Sequence, residues 1–238
     1  SSKCEPVVMD EQFNSAVTDI FRNEYLSPRS PYTTLQIPKQ GIGEWCHPLH
    51  TVDIDDSGLR SSVQKGVLNT KLGVPFRTPA EGQNIAFTSL WDNYPDSLTV
   101  SLKGKASRAY LLMAGSTNHM QCHIDNGLIR VYYKDGTCDK MALRNPDNWA
   151  PIEHIFFEDD LAFNRHAPAL YRLRLKTGEI SNNFGEELGF PGASRELDGG
   201  AAILLEMPLN PDKKLSHLVL ETLSNDVVIG LMGITLQR

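Results

Sequence analysis

The sequence predicts an all-β chain: an antiparallel two-sheet sandwich or jelly roll with one N-terminal helix. Three observations carry this. Short apolar or alternating segments recur from Asn84 to the end, turn-forming Asn-Gly and Asp-Gly pairs separate them, and helical periodicity occurs in one place only, near the start. Strands at short intervals with few helices favour a sandwich over an α/β fold.

The helix is predicted first. Phe13, Val17, Ile20 and Phe21 repeat at helical spacing with Ala16 beside them, Asp10 stands as N-cap, and Ser27-Pro28 ends the segment. Residues 1–30 are therefore read as a helical segment whose apolar stripe rests on a β-sandwich domain spanning 31–238. A proline-rich stretch follows as far as Pro79, with short strands expected at 33–37, 51–54 and 63–68.

The stronger strands come next. Leu98, Val100 and Leu102 alternate with Thr99, Ser101 and Lys103, the pattern of a half-buried strand. Residues 109–114 are almost wholly apolar and predict a central strand covered on both faces. Asp125-Asn126-Gly127 and Lys134-Asp135-Gly136 read as hairpin turns, giving a meander over 121–124, 128–133 and 137–143. In that meander Cys122 and Cys138 lie on outer strands at least ~9 Å apart, beyond the ~7 Å that a disulfide spans. Tyr171, Leu173 and Leu175 alternate with Arg172, Arg174 and Lys176, a strand with a solvated basic face. Residues 201–205 form a buried strand, and 215–222 with 227–236 a closing hairpin across Ser224-Asn225-Asp226.

Composition narrows the function. The 238 residues are 40% hydrophobic and 22% charged, with a net charge of −6 and no run of Lys or Arg. A nucleic-acid partner, which needs a counterion-releasing basic surface, does not fit. No apolar run is long enough to span a bilayer. The first residues, Ser1-Ser2-Lys3-Cys4, hold no apolar signal core, so a leader is either lacking or removed. The four cysteines, Cys4, Cys46, Cys122 and Cys138, have no CxxC spacing, which excludes a zinc ribbon. Dinucleotide, P-loop and nucleophile-elbow patterns do not occur.

Three clusters could carry chemistry. His47 and His50, with Asp53, Asp55 and Asp56, are imidazoles and carboxylates able to hold a divalent ion. Calcium would take the Asp53–Asp56 oxygens as a structural ion; the plainer reading is a polar turn with Gly58 at positive φ. Glu44 lies beside Trp45 between permissive residues, and a carboxyl against apolar surface can serve as a general acid if a second carboxylate faces it. Trp91, Asp92, Asn93 and Tyr94, with Trp149, supply flat faces for sugar C–H groups and fixed polar atoms for hydroxyls, against the alternative that the rings fill the sandwich rims.

The stretches 27–32 (Ser-Pro-Arg-Ser-Pro-Tyr), 41–46 (Gly-Ile-Gly-Glu-Trp-Cys), 55–58, 88–95 and 114–118 resemble the C-terminal β-sandwich region of uncharacterised gut-bacterial glycosidase-like proteins, a domain-of-unknown-function family. The final segment, 228–236, is similar to the last strand of galactose-binding-type sandwiches. Residues 110–112, 133–136 and Asn148-Trp149 are similar to accessory sandwiches beside helical-barrel glycosidases. The resemblance implies a secreted, periplasmic or cell-surface protein of a Gram-negative bacterium that serves polysaccharide utilisation. Its partners would be a glycan or a glycosidase domain. The leading expectation is a carbohydrate-binding or accessory module, more a binder than an enzyme, with Trp45, Trp91, Asp92, Asn93, Tyr94 and Trp149 on the ligand. The alternatives are a small hydrolase or lyase using Glu44 and an aspartate, and a structural domain whose Phe13, Val17 and Ile20 dock a partner.

Overall fold

The fold is built around strands that are apolar on both faces and must be covered on both. A computed structural model of the chain describes residues 3–22, 53–90, 94–117, 122–155, 168–190, 195–224 and 227–238. In chain order the strands are β1 (Cys4–Pro6), β2 (Val63–Gln64), β3 (Val67–Asn69), β4 (Pro75–Arg77), β5 (Ala86–Ser89), β6 (Ser97–Ser101), β7 (Arg108–Thr117), β8 (Asp125–Tyr133), β9 (Cys138–Arg144), β10 (Tyr171–Arg174), β11 (Ile180–Ser181), β12 (Ala201–Pro208), β13 (Leu215–Thr222) and β14 (Val227–Gln237). Two short helices, α1 (Ser57–Ser61) and α2 (Phe184–Glu187), interrupt them.

The strands form an antiparallel all-β sandwich. One sheet runs β1-β14-β7-β12-β10-β11, with β5 also paired to β14, and the other runs β6-β13-β8-β9. Between them lies the main core: Leu111, Met113, Ile203, Leu205, Ile229 and Ile234 from the larger sheet meet Leu98, Val100, Ile129, Val131, Leu218 and Leu220 from the smaller. The larger sheet carries a second apolar layer on its outer face, where Leu112, Ala114, Leu204, Val228 and Met232 meet Val17, Ile20, Leu59, Phe76, Ile85 and Phe87. A three-stranded sheet, β2-β3-β4, belongs to this cover. The larger sheet is therefore a middle layer. Two glycines let the cover approach β14: a Cβ on Gly230 would lie 2.4 Å from the Ile85 side chain, and one on Gly233 would lie 3.0 Å from Phe76.

The N-terminal segment departs from the expected helix. It forms two single 3-10 turns, Asp10–Gln12 and Val17–Asp19, with extended backbone at Phe13 and Ala16 between them. The amide of Asn14 explains the break. Its Oδ1 accepts the Phe87 N–H and its Nδ2 donates to the Phe87 carbonyl, while Ser15 pairs with Ile85, so the chain is held to β5 as an irregular edge. Phe13, Val17 and Ile20 are buried within the molecule and offer no apolar stripe to a partner domain.

Three further expectations are corrected. Residues 63–68 are a hairpin, not one strand: Lys65 and Gly66 both have positive φ and turn β2 into β3. Asp125-Asn126-Gly127 is the start of β8, not a turn, because the Asn126 side chain is buried and accepts a hydrogen bond from Thr117 at 2.8 Å. Cys122 consequently bridges to Asn145, one residue past the end of β9, while Cys138 opens β9. The two cysteines are unbridged and roughly 20 Å apart by strand rise. Finally, β13 and β14 belong to different sheets rather than one hairpin. Among the described residues no helix is long and apolar enough to cross a membrane.

Candidate functional site

Seven of the residues singled out by chemistry, Glu44, Trp45, His47, His50, Trp91, Asp92 and Asn93, lie outside the described residues. The remaining five have structural partners. Asp53 is exposed, 3.6 Å from Arg22. Asp55 caps a turn: hydrogen bonds from Ser57 hold its carboxyl below the ordinary value, helped by the charge of Lys176. Asp56 is buried and accepts from Arg60 Nε at 2.9 Å and Asn84 Nδ2 at 3.0 Å. Among the described residues no three His, Cys, Asp or Glu side chains converge as a metal-holding group. The Tyr94 ring is half-buried against Phe87, with centroids 5.1 Å apart.

Trp149 requires a correction. It has no exposed surface, and its ring lies against the backbone of Gly115 in β7, where an added Cβ would come within 2.5 Å of it. The ring supports the core and presents no open face to a ligand.

A partly exposed array of side chains on the smaller sheet is one the sequence patterning did not flag. This sheet packs one face on the core and leaves the other partly exposed, with no second apolar layer over it among the described residues. Strand register places the outward residues in rows. Ser101, His217, Tyr132 and Cys138 form the first row, Thr99, Val219, Arg130 and Lys140 the second, and Ser97, Glu221, Leu128 and Ala142 the third. In the first row the Tyr132 and His217 rings stack, with centroids 4.8 Å apart and planes 15° from parallel. The Ser216 hydroxyl fixes the imidazole through a 2.8 Å hydrogen bond to Nδ1. Beside them Arg130 Nη1 donates to Glu221 Oε2 at 2.7 Å, both side chains about one-third exposed. An apolar π surface thus adjoins a fixed ion pair and the hydroxyls of Ser97, Thr99 and Ser101. Among the described residues Glu221 is the one carboxylate in these three rows, and it is held by Arg130 beside the stacked rings.

A second feature also escaped sequence reasoning. Arg172, expected on a solvated strand face, is buried. Its guanidinium donates to the carbonyls of Ala202, His154, Pro151 and Ala201 at 3.0–3.3 Å, which ties segment 151–154 to β12. Burial lowers it to about 10, partly offset by the charge of Glu153. Glu153 is itself buried on that segment, and burial pushes its carboxyl up to about 7 against the opposing effect of Arg172. The polar–apolar alternation of β10 concealed this, because the successive residues Arg172 and Leu173 are both buried, one on each face of the strand. The open face was readable in principle: Leu128, Arg130 and Tyr132 alternate with Ile129, Val131 and Tyr133.

No protein-family model matches the chain, and no curated protein or solved structure matches it.

Proposed function

We propose that this protein is a carbohydrate-binding or accessory β-sandwich module of a glycan-degrading system, and that sugar rests on the open face of the β6-β13-β8-β9 sheet. The observation that carries this reading is the stacked Tyr132–His217 pair beside the Arg130–Glu221 ion pair. Pyranose rings present C–H faces and a rim of hydroxyls. They need a flat apolar surface with hydrogen-bonding groups held at its margin, and this face provides both. Trp45, Trp91, Asp92, Asn93 and Tyr94 belong to the proposal as further contacts by residue type. A glycan role implies export to the periplasm or cell surface. The net charge of −6 favours neutral glycans over acidic ones.

Calorimetric titration of the chain against a panel of plant and host glycans tests the proposal. At least one neutral glycan should bind, and Tyr132→Ala should weaken that binding about tenfold. A blank panel, or binding that is indifferent to Tyr132→Ala and to Arg130→Ala alike, overturns the assignment of this face.

A further inference from the structure

The turn that follows β9 holds polar groups that the protein itself does not satisfy. Arg144 closes it: its carbonyl accepts the N–H groups of Asn148 and Trp149 at 3.0 and 3.2 Å. The Asn148 side chain braces it further, accepting from the Arg144 N–H at 2.7 Å and donating to the Ala142 carbonyl at 2.8 Å. The Asn145 carbonyl accepts the His123 N–H at 2.7 Å. The backbone and Asn148 are thus paired. Asn145 and Trp149 are not: both are completely buried, and Asn145 Oδ1, Asn145 Nδ2 and Trp149 Nε1 have no hydrogen-bond partner.

Such groups are rare in folded proteins, because burial strips away water without replacing its hydrogen bonds. Rotation cannot relieve the indole, since its ring is wedged against Gly115, where even one added carbon has no room. The neighbouring buried amide, Asn126, shows the contrast: its Oδ1 accepts from Thr117 and its Nδ2 donates to the Ile124 carbonyl. The idle set comprises two donor nitrogens, carrying three N–H groups, and one acceptor oxygen. A carboxylate could satisfy only the donors and an ammonium only the acceptor, and either would bring an unpaired charge into a buried place. A hydroxyl both accepts and donates, and it is neutral.

We propose that the 144–149 turn encloses a hydroxyl guest, held by the Asn145 amide and the Trp149 indole N–H. Two sources share this chemistry, an ordered water and a hydroxyl of a bound sugar. The inference does not depend on the glycan reading, because the unsatisfied groups require a partner in either case.

Magnetic resonance on the full chain tests it. The Trp149 indole N–H signal is assigned by elimination with Trp45→Phe and Trp91→Phe. That proton should show a cross-relaxation contact to a long-lived water. If soluble oligosaccharides from the panel replace the water contact with a sugar contact, the guest is a sugar hydroxyl. A water contact that persists makes the guest water. Asn145→Leu provides the second readout. Removing a partnered amide should lower Tm by roughly 2–4 °C or more, whereas removing an idle one should raise it. The absence of any water or sugar contact at the indole, or a higher Tm for Asn145→Leu, overturns the proposal.

Discussion

β7 and β8 are strands of similar length in the same sandwich, yet they face opposite constraints. β7 lies between two apolar layers, and Leu111 and Leu112, neighbours in sequence, are each fully buried on opposite faces. β8 has one apolar layer: Ile129 and Val131 are buried, while Arg130 and Tyr132 stay partly exposed. The larger sheet is doubly covered because the N-terminal segment, α1 and the β2-β3-β4 sheet fold over it. The smaller sheet has no such cover among the described residues. Residues of the first sheet are constrained by packing, whereas the outward residues of the second are free to serve another partner.

The largest effects should come from the doubly covered sheet. Leu112→Ala removes a side chain with no exposed surface from the outer layer and should cost about 2–5 kcal/mol, measured as a shift in denaturant midpoint at unchanged slope. A cost below about 1 kcal/mol would mean that the outer layer is loosely packed, and the contrast between the two sheets would fail.

Glu153 provides a test of nearly the same size on the flank of that sheet. Its carboxyl sits at about 7 in the folded protein and at its ordinary 4.5 when unfolded. The folded state therefore holds the proton more tightly. The stabilisation is fully present below pH 4.5 and is lost as pH rises through 7, a change of about 3 kcal/mol. Chemical denaturation between pH 5 and 8 should show stability falling with pH relative to Glu153→Gln, which removes this dependence. Equal slopes for the two proteins would show that the Glu153 carboxyl is not the source.

Asn84 tests how the N-terminal cover is attached. It is buried, accepts the Val17 N–H at 2.9 Å through Oδ1 and donates to Asp56 through Nδ2. Asn84→Ala leaves a buried N–H and a buried carboxylate each short of a partner, which should cost about 1–3 kcal/mol. Hydrogen exchange at Val17 and Ile20 should rise more than at Leu111. A uniform rise would mean that the cover and the central sheet open together.

The strands of the sandwich were legible in the sequence where burial is simple. The alternation of Leu98 and Val100 with Thr99 and Ser101, and the unbroken apolar run through Leu111 and Leu112, specify their environments through periodicity alone. Legibility failed where a side chain settles the backbone from a distance. Asn14 holds Phe87, seventy-three positions away, and turns a helical pattern into an irregular edge. Asn126 makes a strand start out of an apparent hairpin turn. Arg172 reads as solvated until four carbonyls from two other segments surround it. The open face was hidden for a different reason: Tyr132 and His217 are eighty-five positions apart, and only the β8–β13 register stacks them. Aromatic residues clustered in sequence, such as Trp91 and Tyr94, attract notice more readily than those clustered in space.

The smallest expected effects on stability lie on the open face, which bears most directly on function. Tyr132→Ala removes a partly exposed ring from the open face, where neighbouring side chains and solvent can close over the space. The stacked pair contributes at most about 0.5–1.5 kcal/mol, and Tm should move by no more than a few degrees. Thr99→Ala, in the adjacent row, should fall within about 0.5 kcal/mol of the parent. If the face exists to bind, these two substitutions should separate stability from affinity: near-native unfolding, with glycan binding weakened by Tyr132→Ala. If instead Tyr132→Ala destabilises the protein as much as Leu112→Ala, the ring is a structural brace, the smaller sheet is not free on its outer side, and the two sheets differ less than their register suggests.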